Sequence, residues 1–212
     1  MDINQIVRDY ASQPITHQLL LSFLKDYKRP NDKIMALKTK GVLAPIKKGL
    51  YIAGPNAGGV KLENGLLANH IYGPSYVSLD TALSYYGLIP ERVYEIASMT
   101  TKTSREFKTS RGIFTYTHLP LPYYAFGIDR IGLSVDQWAM MASPEKALCD
   151  RIIGTSGILL RSSAQASTYL LEDLRMDESM LKGLDLAMIN RWLPDAPKRA
   201  SLEMTLKMIE NL

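Results

Sequence analysis

The first part of the chain carries three hydrophobic repeats at helical spacing. The repeats are Ile3, Ile6, Val7 and Tyr10; then Leu20, Phe23, Leu24 and Tyr27; then Ile34 and Leu37. Residues three and four apart share one face of a helix, so this pattern predicts three short amphipathic helices.

Residues at the ends of these repeats support the same three helices. Thr16 is a good N-cap for the second helix, and Asn31 is a good N-cap for the third, with Asp32 placed where the helix dipole favours an anion. Gly41 follows the third repeat, where a left-handed C-cap residue is expected. Lys38 and Lys40 lie in its last turn.

A predicted β-hairpin comes directly after the third helix. Val42–Ile46 reads as an edge strand because Pro45 cannot donate to a strand ladder. Lys47-Lys48-Gly49 supplies the turn, and Leu50–Ile52 returns as the second strand. Three helices followed by a hairpin predict a winged helix-turn-helix domain over residues 1–54.

The remaining sequence predicts an α+β domain over residues 60–212, joined by a linker at residues 55–59. Two helical patterns open this domain, at Leu62–Ile71 and Ser78–Tyr86. The strand patterns that follow are Val93–Met99, Ile113–His118, Ala125–Ile128 and Gln137–Ala142. They predict a small, antiparallel sheet, and the pattern after Ala142 is helical to the end.

Composition is typical of a globular protein. Hydrophobic residues make up 46% of the 212 positions, and Cys149 is the single cysteine, so no disulfide can form within the chain. The sequence contains no leader pattern and no apolar run near the ~18 residues of a membrane span. We expect a cytoplasmic protein that does not associate with membranes.

The excess positive charge lies in the predicted winged helix. Residues 1–54 contain nine Lys and Arg and four acidic residues, a net charge of +5, whereas the remainder has a net charge of −1. Clustered cations are typical of surfaces that bind phosphates. We therefore predict that double-stranded DNA is the partner of this domain.

The candidate DNA-binding residues lie on the predicted third helix, the turn before it and the hairpin tip. They are Lys28, Arg29, Asn31, Lys33, Lys38, Lys40, Lys47 and Lys48. Asn31, Lys33 and Lys38 are candidates for base edges, and the two hairpin lysines for the backbone or minor groove. The third helix has no Arg, which suggests modest specificity or repeated half-sites. A winged helix used for protein contacts is the alternative.

A second group of cations recurs at every third position in the polar stretch between two predicted strands. The group comprises Lys102, Arg105, Lys108 and Arg111. A solvated loop is the simpler interpretation. A second anion-binding surface that contacts DNA, RNA or an acidic partner is the alternative.

The sequence indicates no catalytic residues, no cofactor and no metal site, and we expect that the protein is not an enzyme. The three histidines are far apart in sequence. Ser143-Pro144-Glu145 is best explained as a helix start, with a cap, a first-turn proline and an acid near the dipole. Glu106-Phe107-Lys108 has the spacing of a nuclease motif but lacks an upstream acid on a predicted strand.

Three segments resemble the AbiEi-type antitoxins, which are predicted transcriptional regulators of bacterial abortive-infection systems. The segments are Lys47-Lys48-Gly49-Leu50-Tyr51, then Tyr76–Glu91 with the sequence YVSLDTALSYYGLIPE, and Ala142–Asp150 with the sequence ASPEKALCD. The resemblance covers about Ile15 to Asp150, and the Tyr76 segment is the most specific.

The resemblance implies a winged helix that represses its own operon at repeated operator sequences. It also implies a C-terminal domain that counters a nucleotidyltransferase-like toxin, in a type IV system whose antidote need not form a stable complex with the toxin. A ligand-responsive regulator without a toxin partner is the alternative, and a nuclease-like enzyme is a weaker one. The resemblance transfers no catalytic residue.

Overall fold

The computed structural model describes residues 2–212, which form an α+β fold. The N-terminal unit has three helices and three short strands. In chain order they are α1 (Ile3–Asp9), β1 (Ile15–Thr16), α2 (His17–Phe23), α3 (Pro30–Thr39), β2 (Leu43–Lys47) and β3 (Leu50–Ala53). The strands form an antiparallel sheet in the order β1-β3-β2. The predicted order of helices and hairpin is thus present, with one additional strand.

One of the two predicted N-cap residues is confirmed and the other is wrong. The Thr16 hydroxyl accepts a hydrogen bond from the Leu19 amide at 3.2 Å, which confirms the predicted cap. The prediction that Asn31 caps α3 is wrong, because the helix begins at Pro30 and Arg29 occupies the cap position. Proline has its φ already fixed near the helical value and lacks the amide hydrogen that a first turn leaves unpaired.

Glycines end α3 and close the hairpin as predicted. Gly41 has φ +65°, and the amides of Gly41 and Val42 donate to the carbonyls of Lys38 and Leu37 at 3.0 and 2.9 Å. This is a Schellman motif, which satisfies the last carbonyls of the helix. Gly49 has φ +83° in the turn, and β2 is an edge strand.

The segment predicted as a linker is folded against the N-terminal unit. A 3-10 helix spans Pro55–Ala57, and the Asn56 side chain donates to the Lys40 carbonyl at 2.8 Å. Ala57 is buried in the N-terminal hydrophobic cluster.

The second unit contains the rest of the helices and a larger sheet. Its first elements are α4 (Asn64–Ile71), β4 (Ser75–Val77), α5 (Leu79–Tyr85), β5 (Ile96–Thr100), β6 (Arg105–Thr109) and β7 (Gly112–His118). A 3-10 turn (Tyr123–Ala125), β8 (Ile128–Ser134), β9 (Gln137–Ala142) and α6 (Pro144–Gly154) follow. The chain ends with α7 (Ser163–Ser167), a π-helix (Thr168–Asp173), α8 (Glu178–Lys182), α9 (Leu186–Trp192), a 3-10 turn (Leu193–Asp195) and α10 (Arg199–Ile209). Across residues 2–212, every helix is too short or too polar to cross a membrane.

The prediction of a small antiparallel sheet is wrong. The sheet has six strands in the order β6-β7-β5-β4-β9-β8, and the pairs β4–β9 and β5–β7 are parallel. The sequence pattern missed three strands, β4, β6 and nearly all of β8. β4 has only three residues, all buried, and β6 is a charged edge strand, so neither shows clear alternation of polar and apolar positions. The prediction that Ala125–Ile128 forms a strand is also wrong, since β8 begins at Ile128.

Helices cover both faces of the six-stranded sheet. The Tyr116 hydroxyl of β7 donates to the Ala68 carbonyl of α4 at 2.7 Å. The next residue, Thr117, lies on the other face beside Gly154 of α6. Helix α5 packs against α6, and α9 and α10 pack around it. The chain therefore places α4 on one face and α5 with α6 on the other.

The hairpin connects the two hydrophobic cores. One core belongs to the N-terminal unit and includes Ile34 and Leu37 of α3. The other core belongs to the second unit, yet it also contains Ile46 and Leu50 of the hairpin. Packing of these two residues fixes the hairpin to the second unit.

Candidate nucleic-acid interface

The candidate DNA contacts on and just after α3 lie on its flanks, not on its outermost face. Ile34 and Leu37 are buried, so they define the inward direction of the helix. At about 100° per residue, the candidate contacts divide into two pairs. Lys33 and Lys40 lie on one flank, and Asn31 and Lys38 lie on the other. The two pairs therefore lie on opposite sides of the helix.

The outermost face of α3 carries few charges. Asp32, Met35 and Thr39 lie there, and the Met35 side chain is 58% exposed. Asp32 pairs with Arg29 at 3.7 Å, and both side chains are largely exposed. A surface pair of this kind contributes little to stability, so Asp32 does not hold Arg29 firmly.

The remaining N-terminal candidates surround the helix start and the hairpin tip. Lys28 is exposed in the turn before α3, and the ammonium of Lys33 lies 5.4 Å from the centre of the Tyr27 ring. Lys48 is exposed at the hairpin turn, whereas Lys47 is partly buried against the second unit.

The structure separates the four cations of the second predicted surface. The solvated-loop interpretation is wrong for Arg105 and Lys108, because both lie on strand β6, on opposite faces. Lys108 pairs with Glu106 at 3.5 Å. Arg111 is partly buried and donates to the Leu62 carbonyl at 2.7 Å, so it acts as a structural link to the start of α4. Lys102 and Arg105 both lie near Lys47 of the hairpin.

Two of the segments that carry the family resemblance meet in a buried polar network. Asp150 of α6 is fully buried, and its Oδ2 accepts from the Tyr76 hydroxyl at 2.8 Å and the Ser78 hydroxyl at 2.7 Å. The ammonium of Lys146, also fully buried, lies 3.1 Å from the other oxygen and donates to the Tyr123 carbonyl at 3.0 Å. This pair was not predicted from the sequence, although the i, i+4 spacing of Lys146 and Asp150 could have indicated it.

Burial controls the ionisation of this network. Loss of hydration raises the pKa of Asp150 and lowers the pKa of Lys146, while their opposite charges act in the other direction. Burial also raises the pKa of Tyr76 far above its ordinary value. Burial, together with the charge of Asp150, raises the pKa of the Cys149 thiol to about 12. Tyr76 and Cys149 therefore keep their protons at neutral pH, and the side chains of the network are buried.

Glu145 has structural partners, as the sequence suggested. Ser143 caps α6 by accepting from the Lys146 amide at 3.2 Å, and its hydroxyl donates to Glu145 at 2.9 Å. The other oxygen of Glu145 accepts from the Asp185 amide at 3.1 Å. The carboxylate thereby joins the start of α6 to the start of α9.

Other sites offer less organised chemistry. Among residues 2–212, no group of three or more His, Cys, Asp or Glu side chains is arranged to hold a metal ion. A surface groove of about 400 Å³ lies beside the π-helix, lined mainly by Gly157–Leu160 and by Ala164, Gln165, Thr168 and Tyr169. Gln165 within it already accepts from the Arg161 amide at 2.8 Å.

Comparison with known proteins gives a structural match. No family model and no curated protein matches the sequence. The crystal structure of the RV2827C protein from Mycobacterium tuberculosis is similar, with a TM-score of 0.63 and 14% sequence identity. The match covers 98% of this chain and 75% of that chain. The similarity therefore extends over both units and shows a shared α+β fold.

Proposed function

We propose that the chain is a DNA-binding transcriptional repressor that regulates its own operon and acts as the antitoxin of a type IV toxin–antitoxin pair. In this proposal the N-terminal unit is a winged helix-turn-helix, α3 is its recognition helix, and the β2–β3 hairpin is its wing. The order α1-β1-α2-α3-β2-β3 and the three-stranded sheet support this assignment. The observation that carries the proposal is the placement of cations along both flanks of α3 and at the hairpin tip.

The placement of these cations favours a binding mode in which most contacts are made with DNA phosphates. With α3 in the major groove, Lys33 and Lys40 would face one strand, and Lys38 would face the other. The outermost residues Met35 and Thr39 would approach the bases, where they offer one hydroxyl and apolar contacts but no bidentate pairing. Affinity would then depend strongly on salt, and specificity would come from repeated half-sites or DNA shape.

The antitoxin activity is proposed for the second unit. It rests on the resemblance of the segments at Tyr76–Glu91 and Ala142–Asp150 to AbiEi-type antitoxins. The partner is a nucleotidyltransferase-like toxin, which the antidote counters without needing a stable complex. No residue of the buried network at Asp150 would contact that toxin, because the network has no exposed atoms.

Salt-dependent binding tests the repressor activity. The probe is the promoter region upstream of the chain's own gene, and the variant replaces Lys33, Lys38, Lys47 and Lys48 with alanine. We expect weaker binding and a salt slope that falls by roughly 0.9 for each lost phosphate contact. The control replaces the exposed lysines of α8 and α10, Lys182 and Lys207. Full operator affinity in the fourfold variant would refute DNA binding by this surface.

Co-expression tests the antitoxin activity. The toxin to use is a nucleotidyltransferase-like protein encoded next to the chain's gene, and the readout is growth. We expect the fourfold variant to restore growth as well as the parent chain does, since the cations of α3 and the hairpin serve repression. Failure of the parent chain to restore growth would refute the antitoxin assignment while leaving the repressor assignment intact.

A further inference from the structure

A cluster of cations and aromatic rings joins the hairpin to the second unit. The ammonium of Lys47 lies 5.3 Å from the centre of the Phe107 ring, and the guanidinium of Arg105 lies 5.1 Å from the same ring. The ammonium of Lys102 lies 5.2 Å from the centre of the Tyr72 ring. The two rings are themselves 5.4 Å apart. We call these five residues the bridging cluster.

The three cations of the bridging cluster have no carboxylate partner among residues 2–212. All six ion pairs with a nitrogen–oxygen distance of up to 4.0 Å in this range involve other cations. Glu106, the acidic residue next to Arg105, lies on the opposite face of β6 and pairs with Lys108. The positive charge of the bridging cluster is therefore not neutralised within the described part of the chain.

Mutual repulsion within the cluster has a measurable consequence. Partial burial lowers the pKa of Lys47, and the charges of Arg105 and Lys102 lower it further. Like charges close together favour the neutral amine, and a bound anion would reverse this effect. An anion bound beside these three cations would offset their mutual repulsion.

The aromatic rings hold the cations in position. Cation–π contacts hold the charged groups of Lys47 and Arg105 next to the Phe107 ring, and Phe107 in turn packs on Tyr116 at 5.7 Å between ring centres. Ile46 fixes the hairpin to the same core. The charges are consequently preorganised, which reduces the entropy lost when a ligand binds.

We propose that the bridging cluster binds the phosphate backbone of the same DNA duplex that α3 contacts, so that the second unit contributes Lys102 and Arg105 to the operator-binding surface. This inference rests on the proposed repressor function. The duplex is favoured as the ligand because Lys47 belongs to the hairpin whose exposed tip carries Lys48, which makes the surface continuous with the proposed wing. One strand offers a charge about every 3.4 Å, which suits adjacent cations.

Two pairs of substitutions in the full chain test the inference. One variant carries Lys33→Gln and Lys38→Gln on α3, and the other carries Lys102→Gln and Arg105→Gln in the bridging cluster. Lys182→Gln with Lys207→Gln is the control that removes the same charge from other elements. Binding is measured on the promoter duplex and on a mixed-sequence duplex of equal length, across a salt series.

We expect each test pair to weaken binding to the promoter duplex about tenfold and to lower the salt slope by roughly one to two, with a much smaller change in the control. If the α3 pair weakens binding but the cluster pair matches the control, the inference is overturned and the repressor function stands. If the α3 pair also matches the control, the repressor function fails.

The melting temperature distinguishes a binding role of Lys102 and Arg105 from a structural role. Because Arg105→Gln relieves repulsion, its melting temperature should equal or exceed that of the parent chain while its DNA affinity falls. The charge-conserving variant Lys102→Arg with Arg105→Lys should retain the affinity. A lower melting temperature for Arg105→Gln, or loss of affinity in the charge-conserving variant, would assign these residues to packing and overturn the inference.

Discussion

Charged side chains of the second unit lie in two different environments. Lys146 and Asp150 are paired inside the core with no exposed surface, whereas Lys102 and Arg105 are exposed and lack carboxylate partners in residues 2–212. The buried charges neutralise each other, whereas the exposed charges have no counter-charge in the described residues, although the Lys102 ammonium donates to the Gly73 carbonyl. Sequence alone did not separate these two uses of charge.

Removal of one buried charge should destabilise the chain more than removal of both. Lys146→Met leaves Asp150 buried without its counter-charge, and we expect a loss of about 3–5 kcal/mol in the free energy of unfolding. Adding Asp150→Asn removes the remaining charge and keeps an acceptor for the hydroxyls of Tyr76 and Ser78. The double variant should recover most of the loss in urea denaturation, and equal losses would contradict the pairing.

Cys149 should be unreactive until the chain unfolds. Its thiol is buried and has a pKa of about 12, so very little thiolate exists at neutral pH. We expect no alkylation by iodoacetamide in buffer and complete alkylation in concentrated urea, as measured by intact mass. Rapid labelling of the folded chain at pH 7 would contradict this burial.

At the scale of elements, the sequence predicted helices and turns better than strands. The cap at Thr16 and the glycines Gly41 and Gly49 were recognisable because they satisfy local rules of backbone geometry. Strand β4 was missed because it is short and pairs with residues about 25 positions away, at β5. Strand β6 was missed although it forms a tight hairpin with β7, with Thr109 opposite Gly112, because its charged residues show no clear alternation. Local backbone rules thus located α3, but the position of Arg105 beside Lys47 depends on packing of the β2–β3 hairpin against the second core.

The end of α3 should depend on glycine at position 41. Gly41 adopts φ +65°, and an added side chain would come within 3.0 Å of the Asn56 amide nitrogen. We expect Gly41→Ala to lower the free energy of unfolding by about 1–2 kcal/mol, and Gly41→Asn to lower it less. The control is Gly157→Ala, at φ +79° with open space around it. A smaller loss for Gly41→Ala than for this control would contradict the contact with Asn56.

At the scale of the whole molecule, the two units share the hairpin. Ile46 and Leu50 are part of the second core although they lie within the N-terminal unit in sequence. The sequence suggested a boundary at residues 55–59 because three turn-forming residues follow a completed strand. Sequence patterns report where strands end, but they do not report which core the hairpin side chains enter.

Weaker packing of the hairpin against the second core should make the segment between the two units more accessible to protease. Ile46→Ala removes buried contacts between the hairpin and the second core, at a cost of about 2–5 kcal/mol. We expect faster tryptic cleavage after Lys61, in the exposed segment of residues 58–61, than in Ile34→Ala, which changes only the N-terminal core. Equal cleavage rates in the two variants would show that Ile46 does not couple the units.

The network around Asp150 also bears on how such a sequence can change during evolution. Tyr76, Ser78 and Lys146 all depend on one carboxylate, so a substitution at any one of these positions favours compensating substitutions at the others. Such coupled positions would be inherited together in any lineage that keeps the fold, including lineages that bind no DNA and meet no toxin. Matching these positions in another protein would therefore indicate common descent, and its activity would have to be established from its exposed residues.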